Sequence, residues 1–148
     1  MVQRTQDALA ALYDTDETAW LEATADLIRS RRLDQIDSGT LAEYLSDMAR
    51  RDKREVSSRL AVLLAHLLKW QQQPGQRSGS WRATIEVQRQ ELADLLESGT
   101  LRNHAQSALA KAYSNAVRQA MAETGEAESA YSTECPWSLA EALSASLD

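Results

Sequence analysis

The sequence has one cysteine, Cys135, few glycines and prolines, and no long hydrophobic run. A single cysteine cannot form an internal disulfide, and no apolar leader segment follows the first residues, so we predict a cytoplasmic protein. The longest nearly apolar run, residues 60–68, contains His66 and is much shorter than the roughly 20 residues that span a bilayer. We therefore predict no membrane span, and a fold that needs neither a disulfide nor a metal.

Charge is distributed unevenly along the 148 residues, whose formal net charge is −6. Residues 1–49 carry 4 basic and 10 acidic side chains, residues 50–89 carry 9 and 3, and residues 90–148 carry 3 and 9. A net acidic chain does not coat nucleic acid over its whole surface. The basic middle either pairs with the acidic flanks across helices, which is the simpler interpretation, or forms a local nucleic-acid patch.

The 5 glycines and 2 prolines punctuate a helical pattern, and no segment shows convincing strand alternation. Apolar spacing and capping residues predict helices over about 15–31, 41–70, 80–98, 100–124 and 138–143, with Ser80 as the cap of the third. The unbroken second helix would be about 45 Å long. We predict an all-α, up-and-down bundle of about four main helices plus a short C-terminal helix, in one domain over residues 1–148 with its core at about 12–143.

An irregular motif occupies the centre of the chain and is too specific to arise from helical patterning alone. It comprises residues 64–70 (LAHLLKW), Gln73 and Pro74, Arg77 and Ser78, residues 80–85 (SWRATI), and Gln88 with Arg89. Partial matches flank it in order, from Tyr13 to Asp16 and again from Cys135 to Trp137. Together these residues resemble the bacterial family known as domain of unknown function 29, over about residues 12–143. The resemblance implies an α-helical bundle and brings no established activity.

Glu43 and Asp47 are the weaker candidate site, because their i, i+4 spacing places two carboxylates on one helical face. His66 cannot complete a metal site with them, since it would lie about 28 Å from Asp47 along one helix. The other histidine, His104, lies in a stretch without metal-ligand spacing. Solvated or salt-bridged carboxylates are the simpler interpretation.

Other chemistry is poorly supported by the sequence. Cys135 has no histidine nearby in the sequence, and no Gly-x-Ser-x-Gly motif occurs. The loop at residues 74–80 lacks the Gly-Lys-Ser/Thr ending of a phosphate-binding loop. We predict neither a nucleophilic enzyme nor a nucleotide fold.

The stronger candidate site surrounds the loop at residues 71–80. Antiparallel packing would bring residues 66–70 beside 81–85 and both beside 113–117, at one end of the bundle. The candidate binding residues are His66, Lys69, Arg77, Ser78, Trp81, Arg82 and Arg89. Either Trp70, Trp81 and Tyr113 are core aromatics with Lys69 and Arg82 over their rings, as helical spacing favours, or the cations and aromatics form an anion-binding or base-stacking surface.

These features predict a non-enzymatic binding or assembly module without a cofactor. Its partner would be an unidentified protein or another copy of the chain. The alternative is nucleic-acid association through the basic block at residues 50–89. A metal-dependent enzyme, using His66 and either Glu43 or Asp47 in separate sites, ranks third.

Overall fold

The computed structural model describes residues 2–148, and within them the regular structure is entirely helical. The α-helices are α1 (Val2–Thr15), α2 (Glu17–Arg29), α3 (Ser38–Gln72), α4 (Gly79–Leu95), α5 (Gly99–Thr124) and α6 (Leu139–Ser144). The predicted all-α fold class is confirmed. No helix in this part of the chain is long and apolar enough to cross a membrane.

The sequence prediction starts the first helix at about residue 15 and does not include α1. In this respect it is wrong. α1 continues to Thr15, and the next helix is capped by Asp16, whose side chain accepts a hydrogen bond from the Ala19 amide at 3.1 Å. Asp14 has the spacing of a cap, but it lies inside α1. The long helix predicted over 41–70 is confirmed, although it is the third helix of the chain rather than the second.

The later helices are confirmed, but α4 ends at Leu95 rather than near residue 98, and one predicted cap is wrong. Ser138 and Glu141 form the capping box that starts α6, and Gly125 ends α5 in the left-handed conformation with φ of 76°. Ser80 does not cap α4. Ser78 does so, accepting a hydrogen bond from the Trp81 amide at 3.2 Å, because the helix begins one residue before Ser80.

The chain divides into two compact units, with the boundary after Ala49 inside α3. The first unit has a small core of residues from α1, α2 and the segment before α3: Leu9, Trp20, Leu27 and Ile36. The Trp20 ring packs against two tyrosine rings, with centroid distances of 4.9 Å to Tyr13 and 5.5 Å to Tyr44. The single domain over residues 1–148 stays a prediction.

The second unit, Arg50–Asp148, has a larger core built from the apolar faces of α3, α4, α5 and α6. Its fully buried side chains include Leu60, Leu64, Ile85 and Leu92. α5 contributes mainly alanines to this core, among them Ala105, Ala112, Ala116 and Ala120, and such small side chains allow close helix packing. This core fixes the C-terminal end of α3 and the first turns of α4, where the stronger candidate residues lie.

Candidate functional site

Trp70 is the centre of the candidate site, near the C-terminal end of α3. Its side chain is buried, and two guanidinium groups lie against its ring: the Cζ atoms of Arg77 and Arg82 are 4.9 Å and 5.0 Å from the ring centroid. Arg77 Nε also donates a hydrogen bond to the Trp70 carbonyl at 2.9 Å. No described carboxylate forms an ion pair with either arginine. Two exposed cations therefore flank one indole without a counter-charge.

Lys69 is buried, and its charge is compensated inside the second unit. Its ammonium forms an ion pair with Glu123 on α5 and lies 4.9 Å from the centroid of the Trp81 ring. The hydrogen bond from Lys69 lowers the pKa of Glu123 below its ordinary value. Lys69 therefore joins α3 to α5 and is not available to a partner in this arrangement.

His66 is half-buried and bonded to its own helix. Its Nδ1 lies 2.9 Å from the Val62 carbonyl, so this nitrogen carries the proton and donates it, because a carbonyl oxygen can only accept. Burial lowers the pKa of His66 below its ordinary value. A neutral ring with its Nε2 lone pair free to accept is the favoured state near neutral pH.

Arg89 joins α4 to the last helix. Its Nε donates to the Ala142 carbonyl on α6 at 2.9 Å, while its Nη2 is buried without a hydrogen-bond partner. Burial also lowers the pKa of Arg89 from its ordinary value. Trp70 Nε1 is buried and unpartnered in the same way. An unsatisfied buried donor costs roughly 1–3 kcal/mol, and a charged one costs more.

The remaining candidate residues cap a helix or pack against the core. Ser78 is the cap of α4, and Trp81 is partly buried against the core. Tyr113 is buried, and its hydroxyl donates to the Ser132 carbonyl at 2.7 Å. The aromatic side chains thus lie in or against the core with cations over two of the rings, as the first of the two interpretations expects. The binding role of the candidate residues stays a prediction.

Two pockets lie beside this cluster, both lined in part by the extended segment that follows α6. The smaller has a volume of about 180 Å³, and the larger, more open groove has a volume of about 480 Å³. Arg89 lines both. The smaller pocket adds Leu67, Trp70, Gln71, Arg77, Trp137 and residues 145–148. The groove adds Gly79, Arg82, Ala83, Glu86 and residues 144–147.

Glu43 and Asp47 belong to the first unit, on the early part of α3. Partial burial, together with the charges of carboxylates that include Glu43, Glu17 and Asp47, raises the pKa of Tyr13. Within residues 2–148, no three His, Cys, Asp or Glu side chains come together closely enough to hold a metal ion. Glu43 and Asp47 are therefore two carboxylates beside a tyrosine.

A serine and a histidine meet between α3 and α5, which the sequence does not predict. Ser57 Oγ lies 2.9 Å from His104 Nε2. Such a contact is the first requirement of a nucleophile and its base, but a third group must also orient the histidine. No described carboxylate hydrogen-bonds His104, and neither residue lines the two pockets described above. The pair acts as a hydrogen bond between packed helices.

The sequence also does not predict three residues that hold the candidate side chains in place. Glu123 neutralises Lys69, the carbonyl of Ala142 accepts from Arg89, and Trp137 lines the smaller pocket. Trp137 lies within one of the partial family-like matches, at residues 135–137. A family-like match can draw attention to such a residue, but it does not indicate which candidate side chain the residue contacts.

Comparisons with known proteins identify the chain only at the level of a family. No curated protein and no solved structure matches it. The family profile described as Domain of unknown function DUF29 matches residues 12–147. Because that match covers nearly the whole chain, the protein belongs to the family Domain of unknown function DUF29.

Proposed function

We propose that this protein is a non-enzymatic binding or assembly module that recognises an acidic protein segment through Arg77 and Arg82. The supporting observation is that both guanidinium groups lie against the Trp70 ring and have no carboxylate partner among the described residues. Stacking on an indole holds a guanidinium in place, while its in-plane donors still reach a carboxylate. The cost of ordering these side chains is then partly met before a partner binds.

The groove next to Arg82 suits an extended segment. It is an open cleft of about 480 Å³ between α4 and residues 144–147, with Arg82 and Arg89 as its cations and Glu86 as its only acidic side chain. An acidic segment lying there would meet more positive than negative charge. Charge complementarity of this kind gives specificity and a fast on-rate more than raw affinity.

The test uses the whole chain and a fluorescein-labelled oligoglutamate peptide, with binding followed by fluorescence anisotropy at low ionic strength. We expect saturable binding that weakens as salt is added, because the contacts are exposed. Arg82→Glu should reduce the affinity at least tenfold, since it removes one cation and adds an anion beside Arg77. Circular dichroism should show unchanged helicity.

Arg118→Glu is the matched control, because Arg118 is exposed on α5 and its guanidinium donates only to Asn115 of its own helix. It makes the same change in net charge at another place. Equal losses in Arg82→Glu and Arg118→Glu would show that binding follows net charge and not the Trp70 site. An absence of oligoglutamate binding at low salt would also contradict the proposal.

Nucleic-acid association is the second candidate, favoured by the exposed run of side chains from Arg50 to Arg54 on α3. Elsewhere in the basic block, Arg59 contacts Glu55 and Glu91, and Lys69 contacts Glu123. A labelled single-stranded oligonucleotide, titrated in the same assay, separates the candidates. Tight oligonucleotide binding with a steep salt dependence would favour this second function.

We also propose a cytoplasmic location, supported by the single cysteine. Self-association is one form that an assembly role could take. Light scattering of the purified chain tests it directly, and a mass above that of one 16.4 kDa chain would support it.

A further inference from the structure

The smaller pocket shares Arg77 and Arg89 with the acidic-segment proposal, but it adds the buried indole of Trp70. It lies between the C-terminal end of α3, α4 and residues 145–148, and it encloses about 180 Å³, room for a small molecule rather than a peptide. Two of its lining residues, Arg77 and Arg89, carry guanidinium groups. The one acidic side chain in the lining is Asp148, which accepts from Ser146 Oγ at 3.1 Å and forms no ion pair with either arginine. Counted by side chains, the lining therefore carries two cations and one carboxylate.

Two lining residues also have buried donors without acceptors. Trp70 is 8% exposed and its Nε1 has no hydrogen-bond partner; Arg89 Nη2 is buried and equally unpartnered, while Arg89 Nε is used by the Ala142 carbonyl. Trp20 Nε1 and Thr24 Oγ1 are also unpartnered, but only Trp70 and Arg89 among these four residues line a described pocket, where an acceptor has room to bind. Because one of them is a cation, the acceptor that fits best is an anion.

We propose that this pocket binds a small oxyanion, a free carboxylate or phosphate group, through Arg89, Arg77 and the indole N–H of Trp70. The planar fork of arginine matches both kinds of group, and the indole contributes one further donor. This site goes beyond the acidic-segment function, because Arg82 lines the open groove and not this pocket. It makes the module responsive to a small metabolite-like anion.

The segment after α6 gives the ligand a way in. The Ala145 amide donates to the Glu141 carbonyl, and beyond that no main-chain hydrogen bond involving residues 146–148 is present in the described structure. The segment is held by the packing of Leu147 against the core rather than by main-chain hydrogen bonds. The two orphan donors are shielded from solvent, so the proposal requires a local shift of the lining before a ligand reaches them.

The experiment measures the thermal unfolding midpoint of the whole chain in a chloride buffer, with added sodium phosphate or sodium acetate as probes. Sodium chloride at equal ionic strength is the reference, because general screening must be separated from binding. We expect phosphate, acetate or both to raise the midpoint by about 3 °C at a concentration near ten times the dissociation constant, and to raise it further with the logarithm of the concentration above that. The relative response to the two salts identifies which oxyanion the pocket prefers.

Two variants test the assignment of the donors. Arg89→Gln should abolish the oxyanion-dependent shift. Trp70→Phe keeps an aromatic ring but removes the indole N–H, so it should weaken oxyanion affinity about tenfold. Arg102→Gln is the matched control, since Arg102 also donates to a carbonyl at a helix end, that of Leu96 at 2.8 Å, but lines neither pocket.

The outcomes separate this inference from the proposed function. Arg82→Glu should lose oligoglutamate binding and keep the oxyanion shift. If neither phosphate nor acetate raises the midpoint above the chloride reference, the pocket is not an oxyanion site. The pocket is also not an oxyanion site if phosphate and acetate raise the midpoints of Arg89→Gln and Trp70→Phe as much as that of the unmodified chain. Should Arg89→Gln fail to fold, Trp70→Phe alone decides, since a full-sized shift in that variant overturns the role of the indole donor.

Discussion

Trp20 in the first unit and Trp70 in the second are both buried, but different kinds of side chain pack against their indole rings. Both have an Nε1 atom without a hydrogen-bond partner. Trp20 is covered by the rings of Tyr13 and Tyr44, whereas Trp70 is covered by the guanidinium groups of Arg77 and Arg82. Tyrosine rings add apolar packing to a core. Guanidinium groups bury their stems and leave their charges at the surface.

The difference separates a purely structural tryptophan from one that also organises a charged surface. The charges near Trp20 are carboxylates that act on Tyr13, and they do not cover the indole. The cations around Trp70 lie on the ring itself and next to two pockets. The same residue type therefore closes the core in one unit and positions two arginines in the other.

The largest expected effect is that of Trp20→Ala. Trp20 is fully buried in a core of few residues, so its removal should cost about 3–5 kcal/mol of unfolding free energy. Urea unfolding monitored by circular dichroism measures this cost. Trp81→Ala is the comparison, because Trp81 is only partly buried and should cost clearly less. Equal costs would mean that the tyrosine cluster around Trp20 is not a tightly packed core.

A smaller effect should distinguish the two arginines on Trp70. Arg77→Ala removes both a cation–π contact and the hydrogen bond to the Trp70 carbonyl, so it should cost about 1–2 kcal/mol. Arg82→Ala removes only the ring contact and should cost about 0.5–1 kcal/mol. Urea unfolding of both variants, alone and combined with Trp70→Leu, which removes the aromatic ring, gives the coupling of each arginine to the ring. If Arg82→Ala lost more unfolding free energy than Arg77→Ala, the hydrogen bond from Arg77 to the Trp70 carbonyl would not be the larger contribution.

Local patterns predicted much of the fold. The stripe from Leu41 to Trp70, without glycine or proline, predicts α3, and Ser138 with Glu141 predicts the start of α6 because a capping box is a local interaction. α1 was not predicted. Two aspartates in Asp14–Thr15–Asp16 offered two places for a helix to start, and α1 buries only one residue, Leu9, so its apolar face gives a weak signal.

The candidate site was predicted in part, because some of its contacts depend on distant helices. Neighbouring helices α3 and α4 place Arg82 beside Trp70 and Lys69 beside Trp81, as a short loop between antiparallel helices requires. The partners of Lys69 and Arg89, by contrast, are Glu123 and Ala142, which lie 54 and 53 residues away in the sequence. Periodicity describes one helix at a time and carries no information about which helix supplies such a partner.

The smallest expected effect concerns the buried cation of the second unit. Lys69 is the one charged residue among the buried polar side chains of the described residues, whereas the first unit buries the neutral Thr24. The pKa of Glu123 is lowered in the folded protein by its bond to Lys69. Its stabilising contribution is therefore complete above the ordinary glutamate pKa and is lost as the pH falls through the lowered folded value.

Glu123→Gln should consequently reduce the unfolding free energy near neutral pH and flatten its decline in acid. The expected loss is about 1 kcal/mol or less, because solvent screens the half-exposed carboxylate and the amide oxygen of glutamine can still accept from Lys69. Urea unfolding at a series of pH values measures both changes, and Glu97→Gln, at an exposed carboxylate without an ion pair, is the control. If Glu123→Gln retains the full acid-dependent decline, Lys69 does not need Glu123, and the cation buried near Trp70 is stabilised by the Trp81 ring instead.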